Sequence, residues 1–228
     1  MTPAKTRPLV IVGDSAFAEV AYEYFTHDSP YEVVAFSVES AYLKRDKLFG
    51  LPVVPFETLH ERFDPAATDF YAAIVYTQLN RLRARMVHAA KAMGFRPASY
   101  VSSRAFIWPN VKLGEHCFVF EDNTVQPFVT LGDDVVLWSG NHIGHHSTIG
   151  NHCFISSHAV ISGFCTVGDH SFIGVNSTVA NNVNIGADGW IGPGCTIGRD
   201  TEPNTIYKAA EAEAAKVPAK RFFKVREA

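Results

Sequence analysis

Five histidines, His142, His145, His146, His152 and His158, fall within seventeen positions of a chain that has ten, in the stretch SGNHIGHHSTIGNHCFISSH at residues 139–158. Imidazole does two kinds of chemistry near neutral pH: alone and neutral it takes a proton from an attacking nucleophile, and in groups it holds a transition metal. The spacing sorts the five. His146, His152 and His158 are six apart, and His116 and His170 fall on the same count. A residue type recurring at one phase reads as an exposed or interface polar residue rather than as a row of active sites. His142 and His145 each stand alone in their phase. Position does not choose between them, and a metal site remains open.

The count of six comes from what must carry these residues. Stepping by six from Val101, an aliphatic residue stands at every position to Ile197, without an insertion. The next residue is often glycine, as at Gly114, Gly132, Gly144, Gly150, Gly168 and Gly174, which suits a recurring turn of unusual backbone conformation. The fifth position is mostly small, and Cys117, Cys153, Cys165 and Cys195 all fall there. Their spacing contains no CxxC pair, so they read as interior filler rather than as disulfides or metal ligands.

A period of six with one large aliphatic and one small residue resembles the hexapeptide repeat of left-handed parallel β-helices. In that fold three units make one triangular coil, and coils stack about 4.8 Å apart. Residues 98–202 are assigned to it, with five to six coils. The left hand is implied by the resemblance, since the general rule for β crossovers gives the right one.

Residues 1–97 follow a different pattern. RPLVIVGDSAFAEVAYEYF reads as a buried strand over Leu9–Val12, a turn at Gly13, and a helix with an apolar stripe of Phe17, Val20, Ala21, Tyr24 and Phe25. YEVVAFSV and DFYAAIVYT read as further strands, and a helix runs from Asn80 as N-cap to a stop at Gly94. This is a small Rossmann-like α/β domain, with its ligand site at the C-terminal strand ends. GDSAFA holds one glycine, so the dinucleotide fingerprint is absent, while a nucleotide phosphate can still sit at the helix N-terminus. Residues 203–228 leave the repeat. Their Ala/Glu-rich part predicts a short helix, and Lys216, Lys220, Arg221, Lys224 and Arg226 make a basic end, either a solvated cap or a contact for an anionic group.

Composition sets outer limits. A formal net charge of -3 and 47% hydrophobic residues point to a globular protein that handles small molecules, with no call for nucleic acid or an acidic membrane surface. No apolar run is long enough for a membrane span and the N-terminus lacks a signal-peptide core, so a cytoplasmic location is expected.

The α/β unit followed by the β-helix resembles the bacterial nucleotide-sugar acyltransferases, among them the bacillosamine and perosamine N-acetyltransferases and the sialic acid O-acetyltransferases. The resemblance is carried by IVGDSAFAEV, by QLNRLR at Asn80 and Arg83, by HHSTIG, by GFCTVGDHSFIGVNSTV and by VPAKR. It implies that His145 is the general base, with His146 beside it where the family commonly has an acidic residue. It implies that the Gly163 N–H faces the thioester oxygen and that Val175, Pro193, Lys220 and Arg221 line the coenzyme A channel. Gly13, Asp14, Ser15, Asn80 and Arg83 are the implied nucleotide-sugar contacts. The implied activity is acetyl transfer from acetyl-CoA to the amino group of a nucleotide-linked amino deoxysugar, for a surface polysaccharide such as lipopolysaccharide O-antigen, or for another glycan, by a homotrimer without metal. Three alternatives stand beside it: O-acetylation of a sialic-type sugar, a zinc hydratase resembling the gamma carbonic anhydrases, and a scaffold without activity.

Overall fold

A computed structural model describes residues 4–226. The first part is a six-stranded sheet built from β1 (Arg7–Val12), β2 (Tyr31–Val38), β3 (Lys47–Leu48), β4 (Leu51–Pro55), β5 (Asp69–Ala72) and β6 (Arg96–Pro97). Its helices are α1 (Ala16–His27), α2 (Leu59–Arg62) and α3 (Arg81–Ala92). The strand order is β3-β4-β2-β1-β5-β6, parallel except for the β3–β4 pair. Leu9, Val10 and Ile11 of β1 are fully buried, as expected for a central strand covered on both faces. The strand expected from DFYAAIVYT ends at Ala72, and the chain then turns across the top of the sheet.

The second part begins at Tyr100–Val101 and places a two-residue strand at each step of six. Each strand pairs in parallel with the one eighteen residues on, as Phe118↔Val136 and Val119↔Leu137 show. Three sheets of seven, six and five strands result. Position-one residues from Val119 to Val179 point inward and are buried, interleaved with the four cysteines, which are free and buried. Burial pushes the Cys117 and Cys153 thiols up to about 12, which fits filler rather than a nucleophile.

Three expectations need correction. The recurring left-handed turn exists, but at position four and not at the glycines. His116, Asp122, Phe128, Asp134, His146, His152, His158, Phe164 and His170 all have φ between 57° and 66°. Histidine, asparagine and aspartate tolerate this conformation better than most residues, which explains why histidines recur there. The position-two glycines serve close approach instead: a Cβ on Gly144 would stand 2.5 Å from the Gly163 nitrogen, in the next coil's backbone. Second, the prism does not stop at residue 202, because Ile206–Tyr207 pairs with Trp190–Ile191 and extends one sheet. Third, the Ala/Glu-rich segment is not helical; one turn, α4, forms at Ala219–Phe222. Residues 208–218 are exposed, and a short helix without a face to bury is marginal in water.

The α/β domain covers one flat face of the prism. Phe118 packs there against Phe17, Phe25 and Tyr71, with Phe154 and Phe172 in the same core cluster and packed against Tyr76. An ionic cluster closes the seam. Asp134 accepts from Arg83 Nε at 2.8 Å and lies 2.8 Å from His116 Nδ1 and 2.9 Å from His152 Nδ1. The Ala72 N–H donates to His116 Nε2 at 2.8 Å, so the His116 proton resides on Nδ1 and is donated to Asp134. Burial alone would push the Asp134 carboxyl up; Arg83 and the two imidazoles overrule it and hold it well below the usual carboxylate range. Of the two readings their phase allowed, exposed or interface, His116 and His152 take the second, because the corner they occupy faces the other domain.

Candidate active site

Residues eighteen apart share a corner of the prism, so Pro127, His145, Gly163 and Asn181 form one column and Phe128, His146, Phe164 and Asn182 the column beside it. His145 and His146 are both exposed at this corner. Their Nδ1 atoms are 3.1 Å apart. Gln126 Oε1 accepts the His145 N–H at 2.9 Å, and the Phe164 N–H donates to the His145 carbonyl at 3.0 Å, so the backbone below the ring is pinned from both sides. The imidazole of His145 lies over Gly163, where a Cβ would stand 2.8 Å from Cε1 and 3.0 Å from Nε2. His146 is stacked between Phe128 at 4.6 Å and Phe164 at 4.9 Å, while Phe164 meets His145 edge-on at 5.0 Å. His142 lies in a flat strand beside Thr124 and Val160, away from such a turn. An accessible imidazole with one nitrogen hydrogen-bonded can take a proton at the other, and His145 has that arrangement.

The expected oxyanion donor is placed differently. The Gly163 N–H donates to Asn181 Oδ1 at 2.8 Å and is not free. Val175 and Pro193 stand on a different corner of the prism from His145, since the turns cycle through three corners. Val175 is exposed and its carbonyl accepts from the Gly194 N–H at 2.8 Å. Lys220 and Arg221 lie on α4 in the exposed tail.

A cavity of about 600 Å³ opens at the C-terminal ends of β1, β2 and β5. Strand order reverses between β1 and β5, so this is the switch point where open α/β sheets bind ligands. Gly13, Asp14 and Ser15 line it, with Ser37, Glu39, Tyr42 and Arg85. Gly13 has φ 121° and abuts the Ala73 carbonyl, while Ser15 precedes α1 as its N-cap without a side-chain hydrogen bond to the helix. Glu39 and Arg85 form a two-pronged pair at 2.8 and 2.9 Å.

Asn80 and Arg83, expected to touch the nucleotide sugar, do not line this cavity. Arg83 is fully buried and bonds Asp134 and the carbonyls of Ile74, Asp134 and Cys153. Asn80 is buried in a left-handed conformation, donates to the His170 and Ser171 carbonyls and accepts from Arg83. Both dock the domains, because α3 begins at the seam. The residues that sequence reasoning missed are Phe128, Phe164, Gln126, Asn181, Glu39 and Arg85. Two carried a signal: Phe128 and Phe164 are the aromatic hydrocarbons at a phase otherwise held by polar residues and glycine, and they flank His146 by eighteen on either side.

Among the described residues no group of three or more His, Cys, Asp or Glu side chains is arranged to hold a metal, and no helix is long and apolar enough to cross a membrane.

The family described as bacterial transferase hexapeptide (six repeats) matches residues 128–163, a segment that holds Phe128, His145, His146 and Gly163. By sequence, no curated protein matches the chain. Among solved structures, the perosamine N-acetyltransferase of Caulobacter crescentus, as a histidine-to-asparagine variant in complex with CoA and GDP-perosamine, is 25% identical with a TM-score of 0.77 over 87% of this chain and 92% of that one. The acetyltransferase domain of PglB from Neisseria gonorrhoeae is 21% identical with a TM-score of 0.76 over 88% and 96%. WeeI from Acinetobacter baumannii is 17% identical with a TM-score of 0.68 over 88% and 96%. The chain thus carries the hexapeptide-transferase repeat on the two-domain fold of the left-handed β-helix sugar acetyltransferases, and acyl transfer is the enzyme activity that this fold supports.

Proposed function

We propose that this protein transfers the acetyl group of acetyl-CoA to the amino group of a nucleotide-linked amino sugar, with His145 as general base. The observation that carries the reading is the exposed imidazole of His145 over Gly163, on a fold 25% identical in sequence to a perosamine N-acetyltransferase solved with CoA and GDP-perosamine. The sugar amine attacks the thioester carbonyl. His145 Nε2 takes the proton that the nitrogen loses, and the tetrahedral intermediate collapses with that proton passing to the departing thiolate sulfur. The intermediate's oxygen gains negative charge and needs a donor. Coenzyme A displaces the Asn181 side chain from the Gly163 N–H, which then serves that oxygen.

The nucleotide sits in the cavity at Gly13, Asp14 and Ser15, its phosphates toward the N-terminus of α1. Val175 and Pro193, on another corner, touch the pantetheine arm from a neighbouring subunit in a homotrimer, and Lys220 and Arg221 of the tail meet the anionic end of coenzyme A. Product amide enters surface polysaccharide or glycan assembly.

The test is a thiol-release assay of the purified protein with acetyl-CoA and a panel of amine-bearing nucleotide sugars, with light scattering to give the assembly mass. Release that depends on the amine and a mass of three chains support the reading. Release with free sialic acids and none with nucleotide-linked amines transfers it to O-acetylation.

A further inference from the structure

The left-handed turn at the active corner places a second imidazole where a proton acceptor is needed. Two like nitrogens 3.1 Å apart form a hydrogen bond only when one of them is protonated, so the pair His145–His146 has two possible arrangements. If His146 donates, the His145 proton sits on Nε2 and the base is blocked. If His145 donates, its Nε2 carries the bare lone pair. We propose that His146 is the positioning residue of this site, whose Nδ1 accepts the Nδ1 proton of His145 and so fixes the reactive tautomer, and that Phe128 and Phe164 hold it there. The assignment rests on His145 being the base.

Stacking on both faces, at interplanar angles of 27° and 18°, leaves the His146 ring no other plane, and Phe164 also supports the edge of His145 at 88°. The backbone at His146 has φ 59°, fixed by the coil rather than by the ring. Its neutral imidazole differs from a carboxylate in one consequence. When His145 takes the amine's proton, the resulting imidazolium donates to an uncharged acceptor and gains less than it would from an anion. Introducing a carboxylate therefore favours the protonated ring, and the acid limb of the rate profile moves to higher pH.

Two substitutions separate the acceptor from the stack. His146→Phe keeps an aromatic ring between Phe128 and Phe164 and removes the acceptor; His146→Asp restores an acceptor with charge. Both residue types already occupy this turn, phenylalanine at 128 and 164 with φ 66° and 58°, aspartate at 122 and 134 with φ 59° and 57°. The full-length protein, labelled with ¹⁵N-histidine, is assigned by two-bond ¹H–¹⁵N spectra, and kcat and KM are followed against pH. In the wild type the His145 proton is expected on Nδ1. In His146→Phe it moves largely to Nε2, and kcat falls at least about tenfold with both KM values within about twofold. In His146→Asp it returns to Nδ1, kcat recovers, and the acid limb shifts upward. A His146→Phe protein with the His145 proton still on Nδ1 and wild-type kcat overturns the proposal, as does a His146→Asp protein whose acid limb does not move. The spectra need no substrate, so a wild type that transfers no acetyl group refutes the function assignment while the tautomer is still decided.

Discussion

Gly163 lies one coil from His145, and a Cβ placed on it would stand 2.8 Å from His145 Cε1 and 3.0 Å from Nε2. Contact that close forces the ring aside. Gly163→Ala is expected to leave the fold intact, since position three tolerates serine, valine and proline elsewhere in the prism, and to lower kcat at least about tenfold, because the base loses its geometry. Steady-state kinetics beside a thermal melt checks this; unchanged kcat would show that the ring needs no such space.

Removal of the base itself should be larger. His145→Ala is expected to reduce kcat by at least about a hundredfold with a modest change in KM. His60→Ala, at an exposed position of α2, should stay near wild type. Incubation with a chelator should leave the wild-type rate unchanged; loss of activity on chelation would replace this mechanism with a metal-assisted one.

Asp134 and Arg83 are both fully buried at the domain seam and 2.8 Å apart. Breaking a buried pair leaves one uncompensated charge, so Asp134→Asn should cost about 3–5 kcal/mol in denaturant unfolding. The carboxyl's folded-state value lies below its unfolded one, so its stabilisation is present in full above about pH 4 and is lost as pH falls through the folded value. The variant should lack this part of the acid dependence. His152→Ala should lower stability while leaving kcat near wild type, which separates this histidine from His145.

The nucleotide cavity is best probed by point substitution, because removing the α/β domain would expose Phe118, Phe154 and Phe172. Ser15→Glu places a negative charge at the N-terminus of α1, beside the proposed phosphates. The KM for the nucleotide sugar is expected to rise about tenfold or more, with the KM for acetyl-CoA unchanged. Equal effects on both substrates would move the nucleotide elsewhere.

The step of six was legible in the sequence, and its resemblance to hexapeptide repeats implied the prism. A fixed step of six names the inward residues from Val119 to Ile197, since a stacked coil must bury the same phase every time, and the four cysteines follow from the same rule; Val101 and Leu113, at the open end of the first coil, stay exposed. The strand–turn–helix pattern likewise locates the α/β unit and the cavity at Gly13. Phase could not distinguish the three corners, because position four is left-handed at each of them and favours histidine whatever it faces. Only the tertiary structure decided that His116 and His152 turn toward Asp134 under the other domain, while His146 stands in the open between two phenylalanines. Arg83 and Asn80 changed meaning for the same reason: a helix face says that a side chain is polar, and only the docked partner says whether it meets a ligand or a buried carboxylate. The Gly163 N–H was likewise decided by a side chain eighteen residues away, Asn181, which a local motif does not contain.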